Sequence, residues 1–279
     1  MNPRWDGSET LMEHRIGPVG WLRVLVRGVA LALLVAIGLI ILMLIRLIER
    51  PLCGQGRPVS PHITQAVCRT AFWIIGLRRR RIGTAMQHPG AVVANHASWL
   101  DIFSLNASQR IYFVAKSEVA SWPGIGWLAR ATGTVFIERN PKRAREQTEL
   151  FQQRLLHNHR LLFFPEGTST DGQRVLPFKT TLFQAFMAPQ LRDVIWIQPV
   201  SVTYSTPDGS DDRFYGWWGD MSFGAHLLAT LAAKDHGMVI TRYHPPLKVS
   251  DFADRKTLAL TCERIVREGH QTDLLGSNA

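Results

Sequence analysis

His96 and Asp101 stand five positions apart directly after a short apolar run, in the stretch AVVANHASWLDIF (residues 91–103). The apolar residues 91–94 predict a buried strand, and open α/β sheets place their ligand crevice at the carboxyl ends of such strands. A helix beginning in ASWLD would bring the Asp101 carboxylate to one ring nitrogen of His96. The other nitrogen would then be free to act as a general base. Taken alone, this spacing favours a structural histidine, because the chain contains ten histidines.

A second segment ends a buried strand in a turn that can bind an anion. In LLFFPEGTSTDG, residues 161–172, Pro165 stops the sheet ladder and Gly167 lets backbone amides approach a ligand closely. Such amides can hold an anion or an oxyanion. The alternative is an ordinary exit from a strand into a turn, which the Asp-Gly pair at 171–172 also fits.

A third segment, GTVFIERN (residues 133–140), predicts a strand that ends in Glu138 and Arg139. Arg139 would point from the strand end towards the crevice that contains His96. The alternative is a solvated surface arginine, because most arginines of folded proteins are exposed.

Common catalytic motifs are missing from the sequence, which narrows the possible chemistry. There is no G-x-S-x-G elbow, no nucleotide-binding glycine motif and no H-E-x-x-H pair. Cys53, Cys68 and Cys262 form no C-x-x-C pair and no Cys/His cluster. No metal and no cofactor is therefore predicted. A base without an evident nucleophile indicates that the base activates a hydroxyl group of the substrate.

After residue 82, short apolar runs alternate with helical stretches, which predicts an α/β domain with a mixed sheet covered by helices. The predicted strands are 91–94, 111–115, 134–138, 161–164, 194–204 and 237–243, and the predicted helices are 101–108, 124–131, 141–157, 180–188 and 254–268. Residues 205–222 are predicted to be an irregular insertion, and the tail after about residue 270 is predicted to fray.

The N-terminal third contains a candidate membrane helix. Residues 28–45 carry no charge, and twelve of these 18 residues are Val, Leu or Ile. At about 1.5 Å per residue the segment is just long enough to span a bilayer. A cleaved signal peptide is the alternative, but the run is too long and no small-residue cleavage site follows it. Positive charge is heavier after the segment than before it, which predicts that the C-terminal domain faces the cytoplasm.

A basic segment follows, AVCRTAFWIIGLRRRR (residues 66–81). Its apolar part is too short to span, and Trp73 with the arginines at 78–81 suits the membrane interface. A nucleic-acid patch is the alternative, and it is set aside because a spanning helix lies just upstream. The predicted division of the chain is a membrane anchor with an interfacial helix (1–81), an enzymatic domain (82–270) and a tail (271–279).

Several blocks of the sequence together resemble the glycerolipid acyltransferase family, which includes bacterial 1-acylglycerol-3-phosphate acyltransferases. The blocks are NHASWLD (95–101), GTVFIER (133–139), FPEGT (164–168) and IQPVSVTY (197–204), and KSEVASWPGIGWL (116–128) resembles the linker between the first two. They cover about 110 residues in the order and spacing of the family.

The resemblance implies transfer of an acyl group from a thioester, on coenzyme A or acyl carrier protein, to a hydroxyl of a lysolipid at a membrane. No nucleic acid is expected as a partner, and no acyl-enzyme is expected because the hydroxyl attacks the thioester directly. His96 would be the base and Asp101 would orient it. The residues implied to bind substrate are Lys116, Arg139, Glu166, Gly167 and Thr168.

The sequence differs from the pattern of the family at position 169. Many members carry Arg directly after Pro-Glu-Gly-Thr, where it helps to hold the acceptor phosphate, whereas this chain has Ser169. A hydroxyl cannot replace a bidentate guanidinium at a phosphate, so Lys116, Arg139 or Lys179 would have to bind it instead.

The expected acceptor is 1-acylglycerol-3-phosphate, which would give phosphatidate, and lyso-ornithine lipid is the alternative acceptor. A non-catalytic, membrane-anchored lipid-binding protein is the alternative of another class. The expected location is the cell inner membrane, with the catalytic domain facing the cytoplasm.

Overall fold

The computed structural model describes residues 5, 7, 15–137, 144–207 and 210–277. Within these ranges the helices are α1 (Pro18–Cys53), α2 (Ser60–Ile75), α3 (Leu100–Ser108), α4 (Ile125–Thr132), α5 (Ala144–Leu156), α6 (Pro189–Arg192), α7 (Phe223–Ala232) and α8 (Arg255–Ser277). Within the same ranges, 3₁₀ helices cover Ser117–Ser121, Thr180–Met187 and Val249–Asp251.

The strands of the described ranges form one mixed sheet. They are β1 (Arg78–Ile82), β2 (Gly90–Ala94), β3 (Tyr112–Lys116), β4 (Val135–Ile137), β5 (Leu161–Phe163), β6 (Trp196–Ser205), β7 (Met238–Tyr243) and β8 (Leu247–Lys248). The order is β1-β7-β6-β2-β5-β3-β4, with β8 on β6. Strands β6, β2, β5, β3 and β4 run parallel to one another, while β7 and β8 each run antiparallel to β6. The predicted mixed α/β sheet with covering helices is confirmed.

Strand β2 lies in the middle of the sheet and is buried on both faces. Val92 and Ala94 belong to a core formed with α2, α3 and α7, whereas Ala91 and Val93 belong to a core formed with α5 and α8. This pattern explains why β2 is a continuous apolar run rather than an alternating one. The loop after β2 therefore leaves from a strand that is packed on both sides.

Helix α1 is long and apolar enough to cross a membrane. The mean hydropathy of its most apolar 18-residue window is 3.1, and 11% of that window is buried. Arg27 connects α1 to the rest of the protein, because its Nη1 donates to the carbonyls of Leu231 and Ala233 at the end of α7, at 2.9 and 2.6 Å. A helix therefore covers the predicted segment, residues 28–45, and continues beyond both ends of it.

The predicted interfacial segment is divided between α2 and the edge strand β1. Trp73 on α2 is 82% exposed, and the four arginines at 78–81 are exposed on β1. Strand β1 pairs with β7 in parallel register. The predicted boundary between residues 81 and 82 thus falls inside a strand of the sheet. A run of four arginines has no alternation of apolar and polar residues, so the sequence does not indicate this strand.

The other predicted elements agree with the structure except in residues 180–187 and at the C-terminal end of the chain, and the structure adds short elements that were not predicted. All six predicted strands and the helices near 101–108, 124–131 and 141–157 are present, with residues 138 and 141–143 outside the described ranges. Residues 180–187 form a 3₁₀ helix, and α6, α7 and β8 were not predicted. The predicted frayed tail is wrong for residues 271–277. These continue α8, because buried Asp273 on this helix pairs with Arg242 of β7.

Buried histidines are expected to make folding sensitive to acid, and His159 is one of them. Burial lowers the pKa of His159 from 6.5 to about 3, and neither ring nitrogen has a hydrogen-bond partner in the described structure. The unfolded chain therefore binds the proton more tightly, so this contribution to stability is present above pH 6.5 and is lost as the pH falls towards 3.

We expect His159→Phe to reduce the acid sensitivity of folding. Phenylalanine keeps the ring contact with Tyr112, whose centroid lies 4.2 Å away. Between pH 7 and pH 5 the variant should lose about 2 kcal/mol less unfolding free energy than the wild type. Denaturant unfolding at the two pH values measures this difference. Replacing the exposed neighbour His157 with glutamine is the control, and an equal change in both variants would contradict the assignment.

Candidate active site

His96 lies in the loop between β2 and α3, and Asp101 holds its ring. The Nδ1 atom of His96 is 2.8 Å from Oδ2 of Asp101. An ionised carboxylate can only accept hydrogen bonds, so Nδ1 carries the proton and Nε2 presents a lone pair. The His96 side chain is 19% exposed, whereas that of Asp101 is fully buried. The structure thus brings the predicted pair into contact, with one imidazole nitrogen available as a base.

The start of α3 explains why a five-residue spacing produces this contact. Asp101 lies in the first turn of the helix, and its Oδ2 also accepts from the backbone amides of Ala97 and Ser98, at 2.8 and 3.0 Å. An acidic side chain in a first turn commonly bonds back to the amides that precede the helix. One carboxylate oxygen therefore both fixes the loop before α3 and aligns the imidazole.

Asn95 fixes the position of the loop against β6. Its Nδ2 donates to the carbonyl of Val202 and its Oδ1 accepts from the amide of the same residue, both at 2.8 Å. The buried side chain takes the place of a strand backbone and extends the pairing of β2 with β6 by one residue. His96 consequently leaves the sheet from a point with little freedom to move.

One face of the imidazole is covered by an aromatic ring. The rings of His96 and Phe164 are stacked, with centroids 4.0 Å apart and an angle of 11° between their planes. Phe113 continues this wall, with its centroid 5.9 Å from that of Phe164. The stacking restricts ring rotation and gives the site an apolar side.

Glu166 connects the histidine loop to the segment after the turn. Its Oε1 accepts from the amide of His96 at 2.7 Å, and its Oε2 accepts from the amide of Leu176 at 2.9 Å. The residue is 2% exposed, and burial raises the pKa of its carboxyl to about 8, although the two amide donors act in the opposite direction. Glu166 therefore holds the loop of His96 against the segment that follows the turn.

The Pro-Glu-Gly-Thr turn lies beside the histidine. Gly167 has a φ of 73°, which favours glycine, and its amide closes the turn on a carbonyl three residues earlier. The amide of Thr170 donates to the carbonyl of His96 at 3.0 Å. In the described part of the chain, the amides of Thr168 and Ser169 donate no hydrogen bond. Two consecutive amides are thus left next to the base, as in anion-binding turns.

Of the two predicted cationic residues, Lys116 and Arg139, the structure describes only Lys116. Lys116 is the last residue of β3 and is partly exposed. The carboxyl ends of β3 and β2 lie at the same end of the sheet. Two steps of about 4.8 Å separate the strands β2 and β3. Arg139 lies outside the described residues, two positions after the last residue of β4.

Two contacts of the site were not predicted from the sequence. The hydroxyl of Tyr204 donates to Oδ1 of Asp101 at 2.7 Å. The indole Nε1 of Trp99 donates to Nδ1 of His226 at 2.9 Å, and burial lowers the pKa of His226 to about 4, which keeps it neutral. These partners are separated by 103 and 127 residues, so no local spacing indicates them.

Comparison with known proteins identifies the family of this chain. The family model described as Acyltransferase matches residues 77–203. A lyso-ornithine lipid O-acyltransferase of Rhodobacter capsulatus is 55% identical over 267 residues, which cover 96% of this chain and 97% of that protein. A 1-acyl-sn-glycerol-3-phosphate acyltransferase of Neisseria gonorrhoeae is 42% identical over 104 residues, which cover 36% of this chain and 41% of that protein.

A solved structure shares the fold. The crystal structure of the 1-acyl-sn-glycerophosphate acyltransferase of Thermotoga maritima matches with a TM-score of 0.57 and 20% identity, and covers 88% of this chain and 97% of that one. The matched relatives and the shared α/β fold define the chain as an acyltransferase. By its near full-length match to the Rhodobacter enzyme, the chain belongs to the acyltransferase family, and the resemblance drawn from the sequence blocks is confirmed.

Proposed function

We propose that this protein transfers a fatty acyl group from an acyl thioester to the free hydroxyl of lyso-ornithine lipid. The observation that carries the proposal is the 55% identity to the Rhodobacter lyso-ornithine lipid O-acyltransferase over nearly the whole of both chains. The Neisseria enzyme, named for 1-acylglycerol-3-phosphate, matches over only 36% of this chain. The lyso-ornithine acceptor, the alternative in the sequence analysis, therefore replaces 1-acylglycerol-3-phosphate as the proposed acceptor.

Ser169 supports this choice on physical grounds. A phosphate headgroup is best held by a guanidinium that donates two parallel hydrogen bonds. The chain has a serine directly after Pro-Glu-Gly-Thr. This serine carries one of the two amides, those of Thr168 and Ser169, that donate no hydrogen bond in the described structure. An ornithine headgroup carries a carboxylate and an ammonium group, and it presents less negative charge to this turn than a phosphate does.

In the proposed mechanism, Nε2 of His96 takes the proton of the acceptor hydroxyl as its oxygen attacks the thioester carbonyl. Asp101 keeps the ring oriented and stabilises the imidazolium that forms. The tetrahedral intermediate places negative charge on the former carbonyl oxygen, and in this proposal the amides of Thr168 and Ser169 donate to it. When the carbon–sulfur bond breaks, His96 returns the proton to the leaving thiolate. The products are an ester and a free thiol, and no acyl-enzyme forms.

The remaining predicted site residues have supporting roles in this proposal. Glu166 positions the amide of His96, and Gly167 gives the turn its shape. Lys116, the last residue of β3, and Arg139, which lies outside the described residues and is assigned from the sequence alone, bind the acidic group of the acceptor in this proposal.

The proposed location is the inner membrane, with the enzymatic domain on the cytoplasmic side. Helix α1 with its exposed apolar side chains, Trp73 and the four arginines of β1 support this arrangement. The acyl donor is coenzyme A thioester or acyl carrier protein thioester, and the arginines of β1 suit an acidic carrier.

An acceptor panel tests the proposal. Purified protein in detergent micelles is given one acyl thioester with either lyso-ornithine lipid or lysophosphatidate, and ester formation is followed by mass spectrometry. We expect lyso-ornithine lipid to have the higher kcat/KM by about tenfold, the value of one well-placed charged hydrogen bond. A preference for lysophosphatidate would overturn the proposed acceptor, and no transfer to any lysolipid would favour a lipid-binding protein.

Ser169→Arg should move this preference towards phosphate. We expect kcat/KM for lysophosphatidate to rise by about tenfold, because a guanidinium is introduced beside the turn. Thr257→Arg is the matched control. It adds the same charge at an exposed position of α8, away from the end of the sheet at which β2 ends. An equal gain in both variants would show that added net charge, rather than position 169, determines the effect.

A further inference from the structure

The hydroxyl of Tyr204 is the only described side-chain donor to the second oxygen of Asp101. It lies 2.7 Å from Oδ1, and both side chains are buried, at 4% and 0% exposure. Oδ2 accepts from the ring of His96 and from the two backbone amides at the start of α3. The carboxylate is thus held by three donors on one oxygen and by a single donor on the other.

The sheet explains how a residue so distant in sequence reaches the site. Strands β2 and β6 are parallel, and Ala94 at the end of β2 is paired with Val200. Tyr204 is four residues further along β6, about 13 Å beyond that pair. Strand β6 therefore continues past the end of β2, and the side chain of Tyr204 reaches the loop that carries His96 and Asp101.

Tyr204 is held as a neutral donor. Burial and the neighbouring Asp101 carboxylate raise the pKa of its hydroxyl well above the usual value. Its ring is fixed against the ring of Tyr215, with centroids 5.5 Å apart. The hydroxyl thus keeps its proton over the working pH range and can donate it to Asp101.

Removing this donor would affect His96 through Asp101. An anionic oxygen that is buried without a donor is costly, and the protein can relieve the cost by turning the carboxylate or by protonating it. Either change weakens the acceptor on which Nδ1 of His96 depends. The ring then loses its orientation, and the imidazolium loses its counter-charge.

We propose that Tyr204 is a positioning residue of this acyltransferase, which acts on the reaction by holding Asp101 in place for His96. The proposal rests on the proposed function only in taking His96 as the base. It adds a third member, supplied by β6, to the pair predicted from the sequence. Tyr204 is buried and touches neither substrate in this scheme, so its effect falls on kcat rather than on binding.

Tyr204→Phe in the full-length protein tests the proposal. We expect kcat to fall by about tenfold, with the KM values for thioester and acceptor unchanged. Tyr215→Phe is the matched control. It also removes a fully buried hydroxyl, one that contacts His236 and the amide of Gly237, but it leaves Asp101 untouched. Both variants should lose thermal stability, and only Tyr204→Phe should lose kcat per folded enzyme.

Two further measurements separate positioning from a general effect on the fold. In a His96→Ala background, Tyr204→Phe should cause no additional loss of the residual rate, because the base on which it acts is gone. Placing p-aminophenylalanine at position 204 restores an N–H donor, and it should recover most of kcat.

The outcomes for the two proposals are distinct. Wild-type kcat in Tyr204→Phe, equal losses in Tyr204→Phe and Tyr215→Phe, or no recovery with the amino analogue would each overturn the positioning role. Wild-type activity in His96→Ala would instead overturn the base assigned under the proposed function.

Discussion

His96→Ala is expected to lower kcat by about 10²- to 10⁴-fold, the usual contribution of a positioned general base. The KM values should stay close to wild type, because the ring is needed in the transition state rather than for binding. Thiol release from the acyl thioester, measured with a thiol reagent, gives the rate, and mass spectrometry identifies the ester. Purified protein is compared at equal folded concentration, since alanine also removes the stacking on Phe164.

His88→Ala is the matched control for this substitution. His88 is exposed, stacks on Trp196 with ring centroids 4.5 Å apart, and precedes β2 at the end of the sheet opposite to His96. The His88→Ala variant loses an imidazole and an aromatic stacking contact, as His96→Ala does, but the residues of the site are unchanged. We expect wild-type kcat for His88→Ala, and a similar fall in both variants would show that the loss at His96 comes from the fold.

The part of the site that could be predicted from sequence is the part made by local contacts. His96 and Asp101 lie within one loop and one helical turn, so an apolar run followed by a helix start determines their distance. The same holds for the turn at Gly167, whose residue type indicates the positive φ found there. Both segments directly follow a predicted strand, and this order along the chain places them at the carboxyl end of a parallel strand.

The remaining contacts depend on which strands become neighbours, and the sequence carries little information about that. Tyr204 reaches Asp101 only because β6 pairs with β2 and is longer than β2. The family resemblance implies that Glu166 binds substrate. The sequence does not indicate the contacts that the structure shows for its oxygens, which accept from two backbone amides, one of them the amide of His96.

The errors in the fold have a related cause. Strand β1 consists mainly of arginines, whose charge indicates a surface but gives no strand period. It is a strand because β7 offers it a free edge, and two of its guanidinium groups lie over the rings of Phe72 and Tyr243. The end of α8 is ordered by the ion pair between Arg242 and Asp273, which no local pattern predicts.

Asp101→Asn should lower kcat by roughly 10²- to 10³-fold while leaving the fold intact. An asparagine oxygen in the place of Oδ2 can accept from His96, Ala97 and Ser98 as the carboxylate does. Its amide nitrogen then faces the hydroxyl of Tyr204, which can turn its proton away and accept. The tautomer of His96 is kept, and only the negative charge beside the imidazolium is removed. At about 4 Å and an effective dielectric constant of 20, that charge is worth about 4 kcal/mol, which sets the upper end of the loss.

Asp101→Ala separates this charge effect from the structural contribution of the same residue. Alanine leaves the amides of Ala97 and Ser98 without an acceptor at the start of α3, each at a cost of about 1–3 kcal/mol. Thermal unfolding should therefore place Asp101→Asn close to the wild type and Asp101→Ala well below it, although both variants lose activity. An asparagine variant with wild-type kcat would show that the buried charge does not assist the base, and His96 would then need only the orientation that an amide oxygen also provides.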